Sequence, residues 1–168
     1  MTRFTAFPSR LTLVVALAAL PAVAAHAASA NVAVNVKVVK PLILSAKQDL
    51  TFGQIALPAI VGTRVVSISR TGVLSCGAGL TCTGVARQAI FNVTGSNGQV
   101  ARISAVPSSL TNGTGGTILF TPVAPASVTF TNSGNAGIDF GVGGSISLTS
   151  TTPDGLYSGT VEVTVDYQ

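Results

Sequence analysis

Residues 154–168 read DGLYSGTVEVTVDYQ, and their alternation decides the fold class of the chain. Tyr157, Gly159, Val161, Val163, Val165 and Tyr167 fall on one face, with Ser158, Thr160, Glu162, Thr164, Asp166 and Gln168 on the other. A side-chain period of two, held over twelve residues, is a half-buried β-strand. A helix would scatter the same valines around its circumference. Pro153-Asp154-Gly155 is a turn tripeptide leading into this strand.

The same alternation recurs upstream. In NVAVNVKVV (31–39), Val32, Val34, Val36 and Val38 oppose Ala33, Asn35 and Lys37, and Pro41, with no N–H to donate, interrupts the ladder. Short strands are expected at LILSA (42–46), at DLTFGQIAL (49–57) with Gly53 as a bulge or turn, and at TRVVSIS (63–69). Phe91 and Val93 run into Gly95-Ser96-Asn97-Gly98, and the return carries Ala101, Ile103 and Ala105. Asn-Gly tolerates positive φ at both residues, so this stretch predicts a hairpin. Further strands are expected at GTILFTPV (116–123) and ASVTFTNS (126–133), and a pair within AGIDFGVGGSISLTS (136–150), divided around Gly141–Gly144.

About nine or ten short strands and no amphipathic helix predict an all-β fold, an immunoglobulin-like β-sandwich of antiparallel Greek-key strands. Low charge, 8% of residues, would suit disorder only with low hydrophobicity, and 47% of the chain is apolar. No repeat or linker divides it.

The first residues form a separate unit. Arg3 and Arg10 supply a positive n-region, Leu11–Leu20 an apolar h-region, and Ala25-His26-Ala27 a small-residue cleavage site, with Ala30 ending a second. An apolar run of about ten residues is too short to cross a bilayer. The expected organisation is therefore a signal peptide at 1–27, an alternating strand at 28–40 and a β-sandwich domain at 41–168. Cleavage removes two of nine basic residues and lowers the net charge from +4 to +2. Lys37, Lys40, Lys47, Arg64, Arg70, Arg87 and Arg102 are spread singly, without interleaved aromatics, which excludes a nucleic-acid footprint.

Chemistry finds few candidates. Cys76 and Cys82, in CGAGLTC, are an even pair in an exported chain and read as a disulfide closing a tight loop. Five intervening residues do not suit a redox motif, and the only histidine, His26, leaves with the signal peptide, so no metal site is expected. Acid–base catalysis would fall to Asp49, Asp139, Asp154, Glu162 and Asp166, none of which forms a catalytic pair in sequence. TNGTGG (111–116) lacks the Lys-Ser/Thr ending of a phosphate loop and reads as a plain loop. The expectation is a non-enzyme without cofactor.

The two ends of the chain carry a resemblance. VAVNVKVVKPLIL is similar to the alternating extension, proline break and first strand of pilin-type subunits assembled by the chaperone–usher route, capsule-like fibre subunits in particular. Those subunits end with a glycine about fourteen residues from the C-terminus and a penultimate aromatic; here Gly155 is fourteenth from the end and Tyr167 is penultimate. VKPLILSAKQDLTFG, FNVTGSNGQVARIS and VGGSISL…PDGLYSGTVEVTVDYQ also resemble a secreted Gram-negative family known as domain of unknown function 4402. One departure stands out: many pilins bridge distant strands with their disulfide, whereas Cys76 and Cys82 close a local loop.

The resemblance implies a sandwich lacking one strand, polymerising by donor-strand complementation. Val32, Val34, Val36 and Val38 would be donor residues; Gly155, Tyr157, Val161, Val163, Val165 and Tyr167 would form the accepting, chaperone-pairing strand. The implied partners are identical or related subunits, a periplasmic chaperone and an outer-membrane usher, and the implied location is the periplasm and then the cell surface. The alternative is a self-complete secreted or envelope domain in which Val32–Val38 is the first strand of its own sheet.

Overall fold

The computed structural model describes residues 27–59, 62–134 and 136–168; the expected signal peptide, apart from Ala27, lies outside them. The chain divides into Met1–Val36 and Lys37–Gln168. In the first unit, residues 27–36 carry no strand, and Val32, Val34 and Val36 are 84–90% exposed. Val38, in the second, is exposed to a similar degree.

The second unit is all-β, antiparallel throughout, with no helix among the described residues. Its strands are β1 (Ile43–Gln48), β2 (Gln54–Ala56), β3 (Arg64–Ile68), β4 (Leu74–Ser75), β5 (Thr81–Thr83) and β6 (Ala89–Thr94). They continue with β7 (Val100–Val106), β8 (Ser108–Thr111), β9 (Thr117–Val123), β10 (Ser127–Thr129), β11 (Ile138–Leu148) and β12 (Glu162–Tyr167). One sheet runs β1-β6-β11-β3-β4, with β9 joined to β11 and β8 to β9; a second is β10-β7-β12; β2 and β5 form a ribbon.

Two apolar clusters fill the interior. Ala89, Val93, Phe140 and Val142 of the large sheet meet Ala101 and Ile103 of β7 and Phe130, with Val163, Val165 and Tyr167 of β12 packed alongside. Side chains from both sheets thus share one core, a β-sandwich-like arrangement. The other cluster gathers Phe52, Val66, Ile68, Ile118, Phe120, Ile146 and Leu148.

The expected hairpin at Phe91–Ala105 does not form. The chain turns at Gly95–Gly98, but β6 pairs with β1 and β11, whereas β7 pairs with β10 and β12. Alternation cannot separate the two outcomes, because a crossing between facing sheets also sends Val93 and Ala101 into a shared core.

The expected pair of strands around Gly141–Gly144 is instead the single eleven-residue β11. Its glycines do not mark a turn. Residues 68–70 run across the strand there, and a Cβ on Gly143 would lie 2.6 Å from the Ser69 carbonyl carbon. A Cβ on Gly141 would overlap the Arg70 carbonyl oxygen.

β1 and β2 belong to one long ribbon. Ile43–Gln48 pair with Thr94–Ile90, Thr51 with Arg87, and Gln54–Ala56 with Thr83–Thr81. The register slips at Lys47 and slips back near Gly53, whose φ of 74° is a left-handed conformation that glycine adopts without strain. The slip at Lys47 brings its ammonium 2.9 Å from both Asp139 carboxylate oxygens, while the Asn92 amide also donates to Asp139.

The Asn92 hydrogen bond first, and Lys47 second, hold the Asp139 carboxyl below its ordinary range. A lowered folded-state pKa contributes stability that is fully present above the unfolded value, about 4, and is lost as pH falls through the folded one. Asp139→Asn should therefore lose less stability than wild type on acidification below about pH 4. Urea midpoints measured across that range check this; equal acid slopes would contradict it.

Candidate functional site

A cleft of about 1110 Å³ opens over the Phe52–Phe120 cluster. One wall is Gln48–Ile55 with Leu57, the other Ser150 and Thr152–Val161, and the floor includes Ile118, Phe120, Ile146 and Leu148. The first wall exists because Leu50 and Phe52 alternate inward, Gly53 shifts the phase, and Ile55 and Leu57 then resume inward packing. Phe52 meets Phe120 edge-on, with ring centroids 6.1 Å apart.

The second wall precedes and enters β12. Thr111 and Ser158 exchange main-chain hydrogen bonds of 2.9 and 3.0 Å, and Glu162–Tyr167 then pair with Val106–Ala101. Tyr157 turns its ring onto the first cluster and donates its hydroxyl to Pro153 O at 2.8 Å. Leu156 remains 86% exposed at the rim.

The first wall is a ribbon paired on one side, whereas the second is an irregular segment held by the single Thr111–Ser158 bridge before it enters β12. Among the described residues β1 pairs only with β6, β2 only with β5, and β12 only with β7. Two unpaired edges beside apolar side chains present main-chain donors and acceptors that an incoming strand can satisfy. Ser108, within the lining, has a buried hydroxyl with no hydrogen-bond partner among the described residues. The charged residues of the lining are Asp49 and Asp154.

The residues singled out from sequence divide. Gly155, Tyr157 and Val161 line the cleft. Val163, Val165 and Tyr167 pack instead on the second cluster. Tyr167 anchors that end: its hydroxyl accepts from Ser96 N and donates to Lys40 O, both at 2.8 Å. Cys76 and Cys82 form the expected disulfide, with Cys82 opposite Ile55 in the β2–β5 ribbon. TNGTGG is the β8–β9 connection, with Asn112 Oδ1 accepting from Thr114 N and Gly116 N.

Sequence reasoning missed the first wall. Its signal was Leu50, Phe52, Ile55 and Leu57, two alternating pairs out of phase by one residue across Gly53.

No helix among the described residues is long and apolar enough to cross a membrane. No curated protein and no solved structure matches the chain. A family model described as a domain of unknown function, DUF4402, matches residues 42–167, from the residue before β1 to the last residue of β12. The chain belongs to the DUF4402 family.

Proposed function

We propose that this protein is a structural subunit of a Gram-negative surface fibre, polymerising when the N-terminal extension of one copy fills the cleft of the next. The domain is then an immunoglobulin-like Greek-key sandwich short of one strand, and the cleft is where that strand belongs. The carrying observation is an apolar cleft of about 1110 Å³ flanked by a one-sided ribbon and by the singly bridged segment that leads into the edge strand β12. The exposed alternating valines of the extension supply a matching occupant.

Physical chemistry favours the match. An inserted strand bonds through its main chain to both edges, and every second side chain enters the floor. Burying Val32, Val34, Val36 and Val38 is worth at most about 6–12 kcal/mol before ordering costs, at about 1.5–3 kcal/mol each. The inserted backbone would also bring polar groups near the unpartnered Ser108 hydroxyl.

In this reading a periplasmic chaperone holds the cleft before assembly, an outer-membrane usher exports the growing fibre, and identical or related subunits are the permanent partners. The experiment is electrophoresis of chain purified from periplasm, unheated and in mild SDS. A ladder of multimers that collapses on boiling is expected. A single monomeric species, also monodisperse in solution, would overturn the proposal and favour a self-complete envelope domain.

A further inference from the structure

We infer that the Cys76–Cys82 disulfide is a positioning device for the first wall of the cleft. Gln48, at the start of the wall, pairs with Ile90 of β6, and from Thr51 onward the wall takes its main-chain partners from residues 81–87. Thr51 N donates to Arg87 O at 3.0 Å and Arg87 N to Thr51 O at 2.9 Å, and Gln54–Ala56 pair with Thr83–Thr81. The Gln48 side-chain amide adds a bond of 2.8 Å to Gln88 O. The position of the wall from Thr51 to Ala56 is therefore inherited from the excursion between β3 and β6.

That excursion has little regular structure of its own. It contains the two-residue β4 and the three-residue β5. Two short strands pairing only with each other, as β2 and β5 do, are marginal in water unless something else holds them. The disulfide supplies the hold. It ties Cys82, in the middle of β5, to Cys76 across a Cα separation of 6.1 Å. The loop it closes turns through Leu80 N to Gly77 O at 3.0 Å, and Arg64 Nε fixes it to β3 by donating to Ala78 O at 2.9 Å. Leu80 and Cys82 themselves pack on the first cluster. A continuous path thus runs from β3, through the cross-linked loop and β5, to Ile55 and the cleft.

A cross-link over so short a loop restrains the chain locally and contributes little to the rest of the domain, whose strands pair independently of it. Its removal should loosen the wall while leaving the sandwich formed. The consequence for assembly rests on the proposed function above; the consequence for the wall does not.

The test is native-state hydrogen exchange on the full chain carrying Cys76→Ser and Cys82→Ser together. Main-chain amides of Gln54–Ala56 and Thr81–Thr83 should exchange roughly 40- to 50-fold faster, the entropy estimate for this loop size. Amides of β6 and β11 should stay within about twofold, since their opening is a separate event. The ladder of multimers should form more slowly. Unchanged exchange in the ribbon would overturn the inference. So would an equal rise in every strand or failure to fold, because the disulfide would then hold the whole domain. Local loosening with wild-type chain that never assembles would sustain the positioning role and refute the fibre reading.

Discussion

Gly143→Ala should cost at least about 3 kcal/mol of stability, at or beyond the upper end for overpacking a core. The added methyl would lie 2.6 Å from the Ser69 carbonyl carbon and 2.8 Å from its oxygen, and would overlap the Ile68 oxygen. All three atoms are main chain, so no side chain can rotate away. Relief requires moving the end of β3, whose Val66 and Ile68 are almost fully buried. Gly98→Ala is the control: that position has a φ of 72° but open space around its missing Cβ. It should cost about 1 kcal/mol from backbone strain alone. Urea unfolding of both variants decides the matter; a Gly143→Ala midpoint at the wild-type value would remove the steric account of β11.

Val36→Asp should reduce assembly at least about 100-fold while leaving the domain folded. Val36 is 86% exposed before assembly, so the folded subunit loses no packing. After insertion the same position would face the apolar floor, where an unpaired carboxylate costs several kcal/mol. About 3 kcal/mol already corresponds to roughly 100-fold in an equilibrium constant. Asn35→Asp places the same charge one residue away, on the opposite face of the strand, and should assemble nearly as wild type. Sedimentation of the two variants against wild type checks the contrast. Equal assembly by both, or equal loss in both, would mean that the extension does not insert with a two-residue period.

Much of the fold was legible because one property, alternation, was written clearly. Val161, Val163, Val165 and Tyr167 announced β12, and all four face apolar clusters. Alternation says which face is buried but not which strand lies alongside. For that reason the turn at Gly95–Gly98 read as a hairpin although it crosses between sheets. The glycines of β11 misled for a related cause. Gly141 and Gly143 looked like a turn because a sequence shows a missing side chain without showing the main chain that needs the space.

The cleft was half legible. Gly155, Tyr157 and Val161 emerged from the C-terminal pattern, but the facing wall depends on a phase shift at Gly53 and on pairing with residues 81–87, about thirty positions away. The local disulfide was read correctly as a short loop; its connection to the cleft through the Ile55–Cys82 pair required the register.

The most direct measurement is hydrogen exchange of wild-type multimers compared with the Val36→Asp monomer, followed by residue. Insertion predicts strong new protection in three segments together: the extension around Val32–Val38, the wall at Gln48–Leu57 and the wall at Thr152–Val161. Multimers in which those segments exchange as fast as in the monomer would contradict the claim that the cleft receives a strand.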